Sequence, residues 1–398
     1  MVGFSARYPE GALTHRTGLR KGACGAARGM VESRRDEPPR FGDSPPLSLG
    51  VEEELLLVDA KGGLICAAED VLESVGGTPI AERVSAEIFT EQIELKTGIC
   101  RDPGEVLEQL REIRRAVSEA GFVLLACGLH PTAVADEAVL VAKPRYEIVQ
   151  KDLGSLLRTP PCGLHVHVGM PDPEVAVKVA NAFRLYLPAL QALSANSPFQ
   201  EGVDSGHASA RTQVVRAYPR FQVPRGFRDY ADFLEVADQL VAAAGVDDYT
   251  YIWWDVRPHP RLGTVEVRAL DVPTEPHTSA ASAALIQAIA AKELDRPTDS
   301  RLHREALEES YFQAASHGLE AEIVFDSERP DPAREVAARM LETIRPYARD
   351  LGTEDALEEI ERIIRQGNGA EEQRRIERRV GVDGLLTGLI ERSQPLPS

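Results

Sequence analysis

The chain has 398 residues, 43% of them hydrophobic, with 45 Lys/Arg against 63 Asp/Glu and a formal net charge of −18. That hydrophobic share is enough for a sizeable core, in one large domain or two ordinary ones, while the acidic balance disfavours non-specific binding to nucleic acid or to an anionic membrane. No apolar run approaches the roughly 20 residues that span a bilayer, no signal-peptide pattern is visible, and the five cysteines are scattered without zinc-ligand spacing, so a cytoplasmic protein with reduced thiols is expected.

Residues 1–45 are rich in Gly, Ala, Arg and Pro, carry eight Lys/Arg against five Asp/Glu, and lack apolar periodicity. They are expected to form a disordered N-terminal extension, with Met30 offering an internal start. Residues 46–395 are expected to form a single domain, helical from about residue 300. Leu49–Val58 reads as a strand with Glu52 and Glu54 on one face and Val51, Glu53 and Leu55 on the other. Like charges about 7 Å apart repel by roughly 2 kcal/mol at an effective dielectric near 20. A buried face carrying both needs a cation, a bound proton or an arginine.

Residues 62–66 can return as a hairpin partner, 68–75 suit a short helix, and 87–97 look strand-like. Asp102-Pro103-Gly104-Glu105 is a helix start, with Asp at the N-cap, Pro at the first turn and Glu three residues on. The helix is predicted to run to about Ala120, followed by a buried apolar strand over 122–129 and a helix over 144–157. Cys162–Gly169 alternates with His165 and His167 on one face. Asp172 caps a long helix to about Ala195, bent or broken at Pro188. The irregular stretch 196–226 is long enough to suggest function. A helix over 229–243 precedes two strands, 249–257 and 263–271, joined as a hairpin. From Glu275 onward the pattern is helical in about five pieces. Strands interspersed with helices, then helices gathered at the C-terminus, indicate α+β with a largely antiparallel sheet.

Four strands place polar groups where a sheet interior should be apolar: Glu52/Glu54, Glu94 with Glu87 before it, His165/His167 and Glu266/Arg268. Carboxylates with an imidazole suit a hard cation, Mg²⁺ or Mn²⁺. Glu87 and Glu94, seven apart, converge only if the strand starts after Glu87 or carries a bulge. Taken singly, each motif has a plainer explanation. A Glu run suits a solvated strand face, the His pair a hydrogen-bonded core, Glu266/Arg268 a structural ion pair, and Tyr251, Trp253 and Trp254 a core rather than a stacking platform. Their conjunction is what points to a site.

These residues stand in segments that resemble the carboxylate–amine ligases of the glutamate–cysteine ligase type 2 group. The segments are Leu-Gly-Val-Glu-Glu-Glu at 49–54, Gln-Ile-Glu-Leu-Lys-Thr at 92–97, Gly-Leu-His-Pro at 128–131 and Gly-Leu-His-Val-His-Val-Gly at 163–169. They continue with Ala-Leu-Ser-Ala-Asn-Ser-Pro-Phe at 192–199, Ile-Trp-Trp-Asp-Val-Arg-Pro at 252–258, Gly-Thr-Val-Glu-Val-Arg at 263–268 and Gly-Asn-Gly-Ala at 367–370. The resemblance covers about residues 47–392. It implies a glutamine-synthetase-like fold: a curved antiparallel sheet forming an active-site funnel, with helices outside.

The resemblance implies metal ligands at Glu52, Glu54, Glu87, Glu94, His165 and Glu266. It places Arg268 at the transferred phosphoryl group and Arg257 near nucleotide or substrate, and it keeps Arg211 for ligand binding. Glu52 and Arg268 are the residues expected to carry catalysis. ATP and Mg²⁺ (or Mn²⁺) are the implied cofactors. The implied partners are a small carboxylate and an amine of amino-acid type, joined as an amide, with γ-glutamyl the family's usual case, through an acyl phosphate. Neither nucleic acid nor a membrane is expected as a partner, and a homodimer is the default assembly. The sequence departs from the family at Gly206-His207-Ala208-Ser209-Ala210-Arg211, where two aromatics are lost, and at Ser310-Tyr311-Phe312-Gln313-Ala314. Both stretches are expected to face the substrates, so a specialised amide-forming role stands beside plain glutamate–cysteine ligation. The alternatives are a metal-dependent oxygenase or hydrolase built on His165 and His167, a simpler phosphotransferase, and an inactive binding module of the same fold.

Overall fold

The longest strand, β1 (Leu49–Val58), is the axis of the computed structural model, which describes residues 38–135, 138–298, 302–326 and 329–394. After it come α1 (Ala68–Val75), the hairpin β2 (Val84–Ala86) and β3 (Gln92–Lys96), α2 (Pro103–Glu119) and β4 (Val123–Leu125). Then follow α3 (Pro144–Leu153), β5 (Gly163–Gly169), α4 (Pro173–Ser194), a small hairpin of β6 (Phe199–Gln200) and β7 (Val203–Asp204), and α5 (Ala210–Arg216). Next are α6 (Tyr230–Ala244), β8 (Val256–His259), β9 (Thr264–Asp271), α7 (Pro276–Asp295) and α8 (Arg304–His317). A second small hairpin, β10 (Glu322–Ile323) and β11 (Asp331–Pro332), precedes α9 (Ala333–Asp350), α10 (Glu358–Gln366) and α11 (Gly369–Ser393).

The main sheet is antiparallel, in the order β2-β3-β1-β5-β9-β8, with β4 extending the far end of β1. Period-two alternation sorts its faces. Val51, Leu164, Val166, Val265 and Val267 pack outward against Phe183 and Leu187 of α4, Ile286 of α7 and Met340 of α9. Toward the other end, Ile93 and Leu95 pack with Val71 of α1, Ile113 and Val117 of α2 and Leu389 of α11. The opposite face is left for polar residues. Cap chemistry sets the long helices as read from sequence: Asp102 accepts from Glu105 N and Asp172 from Val175 N.

Several elements differ from expectation. Residues 249–251 form one 3₁₀ turn and the strand begins only at Val256, because Tyr251, Ile252 and Trp254 bury in a separate cluster with Phe227 and Phe233. Only Val123–Leu125 of the apolar run 122–129 pairs with β1, since β1 ends at Val58 on one side and its edge before residue 54 is taken by β5 on the other. α4 runs through Pro188 rather than breaking, and α11 absorbs the expected break at Gly381 as a kink with φ 75°. Of the expected disordered extension, residues 1–37 lie outside the described residues. Its end is anchored: Arg40 N donates to Pro260 O and Gly42 N to Met170 O, and Phe41 meets Tyr230 edge-on.

Candidate active site

Strand register brings the polar residues into one row. Glu54 faces Glu94 across β1–β3, Glu52 faces His165 across β1–β5, His167 faces Glu266 across β5–β9, and Glu266 faces Arg257 across β9–β8. Directly opposed residues share a face, so the row crosses the sheet on its non-helical side. Glu87 joins it through the β2–β3 hairpin. Ser85 is opposite Glu94, and Glu87 follows Ser85 by two residues, with its amide donating to Gln92 O. The strand starts after Glu87, as convergence required. In β9 the register against β5 shifts between Leu164 and Val166. This bulge lets Asp271 share the face of Glu266 and Arg268 despite odd spacing.

Over this face lies a cavity of about 400 Å³ whose lining includes all the expected site residues: Glu52, Glu54, Glu87, Glu94, His165, Arg211, Arg257, Glu266 and Arg268. The structure divides them. Glu52, Glu94 and His165 can each offer one ligand atom within 4.8 Å of the others, and so can Glu54, Glu87 and Glu94. Glu94 belongs to both groups. His165 Nδ1 lies 3.1 Å from Glu52 Oε2, and its Nε2 is 3.8 Å from Glu54 Oε1. His167 Nδ1 is 3.0 Å from Thr264 Oγ1, while its buried Nε2 has no hydrogen-bond partner and lies 3.8 Å from Glu52 Oε1.

Glu266 stands apart from both carboxylate groups. Arg257 Nε donates to its Oε2 at 2.6 Å and Arg268 Nη1 is 3.5 Å from its Oε1. Burial opposes ionisation of Glu266, but these two guanidinium groups hold its carboxyl far below the usual range. Arg257 is further engaged by the carbonyls of Ile252 and Tyr249. Its hydrogen bonds brace β8 and Glu266. Arg268 and Arg211 differ: the Nε of Arg268 and the Nε and Nη1 of Arg211 are buried without partners. Arg211 lies against Gly163, where a Cβ would collide with its guanidinium, and 3.7 Å from Asp271.

Electrostatics separates the carboxylates. Burial raises the Glu94 carboxyl, helped by the charge of Glu52, to about 7. Burial and then Glu94 and Glu54 push Glu87 well above its ordinary value. Glu52 goes the other way: burial is outweighed by hydrogen bonds and charge from His165 and His167. Lys96, 2.5 Å from Glu94, is the nearby ammonium. Packed carboxylates driven toward protonation, with the His165 imidazole among them, fit a hard divalent cation.

Some contributors escaped the sequence reading. Lys96 sits two residues from Glu94 and was legible by alternation. Tyr218 and Phe221, which line the cavity, come from the irregular stretch 196–226, and Trp253, expected as core, lines it too. Ala210 is buried, and His207 packs edge-on to Phe312 with Nδ1 3.2 Å from Ser316 Oγ. Neither His207 nor Ala210 lines the cavity, whereas Arg211 of the same stretch does. The two altered stretches meet each other at the α5–α8 junction. Among the described residues no helix is long and apolar enough to cross a membrane.

Residues 48–393 match the family described as Glutamate-cysteine ligase family 2 (GCS2). A Rubrobacter xylanophilus relative, provisionally named glutamate–cysteine ligase 2-3, is 39% identical over 350 residues, 86% of this chain and 95% of that one. The glutamate–cysteine ligase of Haloquadratum walsbyi is 34% identical over 357 residues, 86% of this chain and 95% of its own. Among solved structures, the Francisella tularensis glutamate–cysteine ligase in complex with AMP has a TM-score of 0.69 at 14% identity, covering 89% of this chain and 91% of that one. A bifunctional glutathione synthetase from Pasteurella multocida gives 0.65 at 14% identity, covering 87% and 52%.

Proposed function

The chain belongs to glutamate–cysteine ligase family 2 and is a carboxylate–amine ligase; from that premise we propose that it uses ATP to activate a small carboxylic acid as an acyl phosphate, which an amine then converts to an amide. The observation that carries this reading is the pairing, in one cavity, of two carboxylate groups sharing Glu94 with two arginines that each keep a buried Nε–H without a hydrogen-bond partner. A substrate carboxylate meeting a triphosphate sets anion against anion, and both kinds of group answer that repulsion. Glu52, Glu54, Glu87, Glu94 and His165 would hold Mg²⁺ or Mn²⁺, which supplies charge neutralisation to the phosphates when bound. Arg268, oriented by Glu266, turns its free Nε toward charge developing on the transferred phosphoryl group. Arg211, held over Gly163 by Asp271, offers Nε and Nη1 to a second anionic group, the substrate carboxylate or a phosphate. The AMP in the Francisella neighbour is in keeping with an adenine nucleotide in this funnel. γ-Glutamyl transfer to an amino-acid amine is the proposed case. The His-x-His oxygenase reading is less favoured, because His167 joins neither carboxylate group.

The test is ADP release from Mg-ATP with pooled carboxylic acids and amines, for the wild type and Glu52→Gln. Release that requires both pools and collapses in the variant supports the ligase and its metal site. Undiminished release by Glu52→Gln would sink the metal assignment, and release without an amine would indicate a phosphotransferase.

A further inference from the structure

The cavity lining has two chemically different parts. One is the charged strand face. The other carries apolar and aromatic side chains, Leu153 at the end of α3, Leu157, Tyr218, Phe221 and Trp253, with Arg145 and Arg261 also on the lining. Trp253 differs from its aromatic neighbours, since Tyr251 and Trp254 are only 2% and 3% exposed and pack as core, whereas Trp253 is half-buried and lines the cavity. The Arg220 guanidinium lies over the Trp253 ring, 5.2 Å from its centroid, and is itself fixed by the Tyr251 carbonyl at 3.0 Å and Asp152 at 3.6 Å. A cation anchored over an indole orients the ring and leaves it a rigid π-surface. Tyr218, which lines the same cavity, ends in a hydroxyl that is buried without a hydrogen-bond partner.

The carboxylates and arginines of the strand face suit a phosphate chain with its cation, and the aromatic part suits a flat ring. A ligand matching both parts is a polyanion at one end and, at the other, a flat ring with polar atoms on its edge. We propose that Trp253 is the stacking face for the purine ring of the nucleoside triphosphate, and that the Tyr218 hydroxyl donates to a ring nitrogen. This rests on the ATP-dependent reading of the same funnel. It makes the base, and not only the phosphates, a source of binding energy.

The experiment is calorimetric titration of Mg-ATP and, separately, Mg-tripolyphosphate, which carries the anionic end without the base. The proteins are the wild type, Trp253→Phe, Trp253→Leu and Tyr218→Phe. Stacking of this kind contributes a roughly 10- to 100-fold effect on affinity per base. Trp253→Leu should therefore weaken ATP by about that factor, Trp253→Phe should weaken it less, and tripolyphosphate affinity should not change. Tyr218→Phe should lower ATP affinity alone, by a smaller factor. Trp254 is the only other tryptophan, so its fluorescence during melting reports that Trp253→Leu is folded. Equal ATP affinity in wild type and Trp253→Leu overturns the proposal. So does an equal loss for ATP and tripolyphosphate, or a raised KM for the organic acid or amine with ATP binding intact, which would put the organic substrate's ring on Trp253. A wild type that neither binds ATP nor releases ADP defeats the ligase reading itself, whereas tight ATP binding indifferent to Trp253 defeats only this inference.

Discussion

Glu52 and Glu53 are chain neighbours with opposite fates, because a strand turns them to opposite faces. Glu53 is fully buried on the helix side, where it accepts from Arg114 Nε at 2.8 Å and Ser279 Oγ at 2.6 Å. Glu52 faces the cavity. Glu53→Gln would leave the Arg114 charge buried and under-compensated and should cost roughly 3–5 kcal/mol, read as a lowered urea midpoint. Glu52→Gln should leave that midpoint within about 1 kcal/mol while ADP release falls by more than the ~100-fold typical of disturbing a metal's outer shell. The raised Glu94 and Glu87 carboxyls make a second prediction. With Glu94 at about 7 against an ordinary 4.5, the folded metal-free chain holds more protons than the unfolded one between those values. Stability should therefore fall as pH rises from 4.5 to 7, by on the order of a few kcal/mol. Thermal melts in chelator should show this fall, Glu94→Gln should flatten it, and added Mg²⁺ or Mn²⁺ should raise Tm more at pH 7.5 than at pH 5. A melt curve indifferent to both would remove the electrostatic argument for a cation.

At the level of elements, the candidate site depends on where strands start and slip. The i, i+2 pairs in β1, β5 and β9 were legible because period two is a local property. That Glu87 and Glu94 converge was conditional in the sequence, since it depends on the hairpin between β2 and β3. The position of Arg211 had no local signal: α5 carries it to the sheet, where Gly163 leaves room and Asp271 lies alongside. Gly163→Ala should force its Cβ against that guanidinium and cost roughly 1–3 kcal/mol. In an Arg211→Ala background the penalty should shrink, giving a coupling energy in a double-mutant cycle. Additive effects would mean that the glycine serves the backbone and not the arginine. The altered 206–211 and 310–314 stretches teach the complementary lesson. Within them His207 and Phe312 meet at a helix junction while Arg211 reaches the cavity, so one short stretch serves both packing and the site.

Across the whole molecule, distant segments close the sheet's two faces. Arg114 of α2 donates to Glu53 of β1, to Thr274 O and to Ser393 O at the end of α11, joining the first strand to the last helix. At the other end, residues 40–42 clasp the β8–β9 turn, and Gly263 there, at φ 66°, has the Arg40 carbonyl where a Cβ would sit. A chain beginning at residue 46 should be less stable than one beginning at 38 by roughly 1–2 kcal/mol for the backbone hydrogen bonds that Arg40 and Gly42 make to the rest of the fold, measured as a Tm difference. Equal Tm values would show the clasp to be incidental. What the sequence determined by itself was the class of fold and the alternation that pairs Glu52 with Glu54, His165 with His167 and Glu266 with Arg268, because these follow from periodicity, capping and composition over a few residues. Arg211 and Arg257 were legible only through the resemblance to the ligase family, and Arg145 and Arg261 of the cavity lining were not. The tertiary structure alone decided the rest. It braced Glu266 with Arg257 apart from the carboxylate groups, left Arg211 and Arg268 with free N–H groups, and turned Trp253 to the cavity while burying Tyr251 and Trp254. Each of those outcomes depends on register, a bulge or a loop path between residues far apart in the chain, and no local pattern encodes such distances.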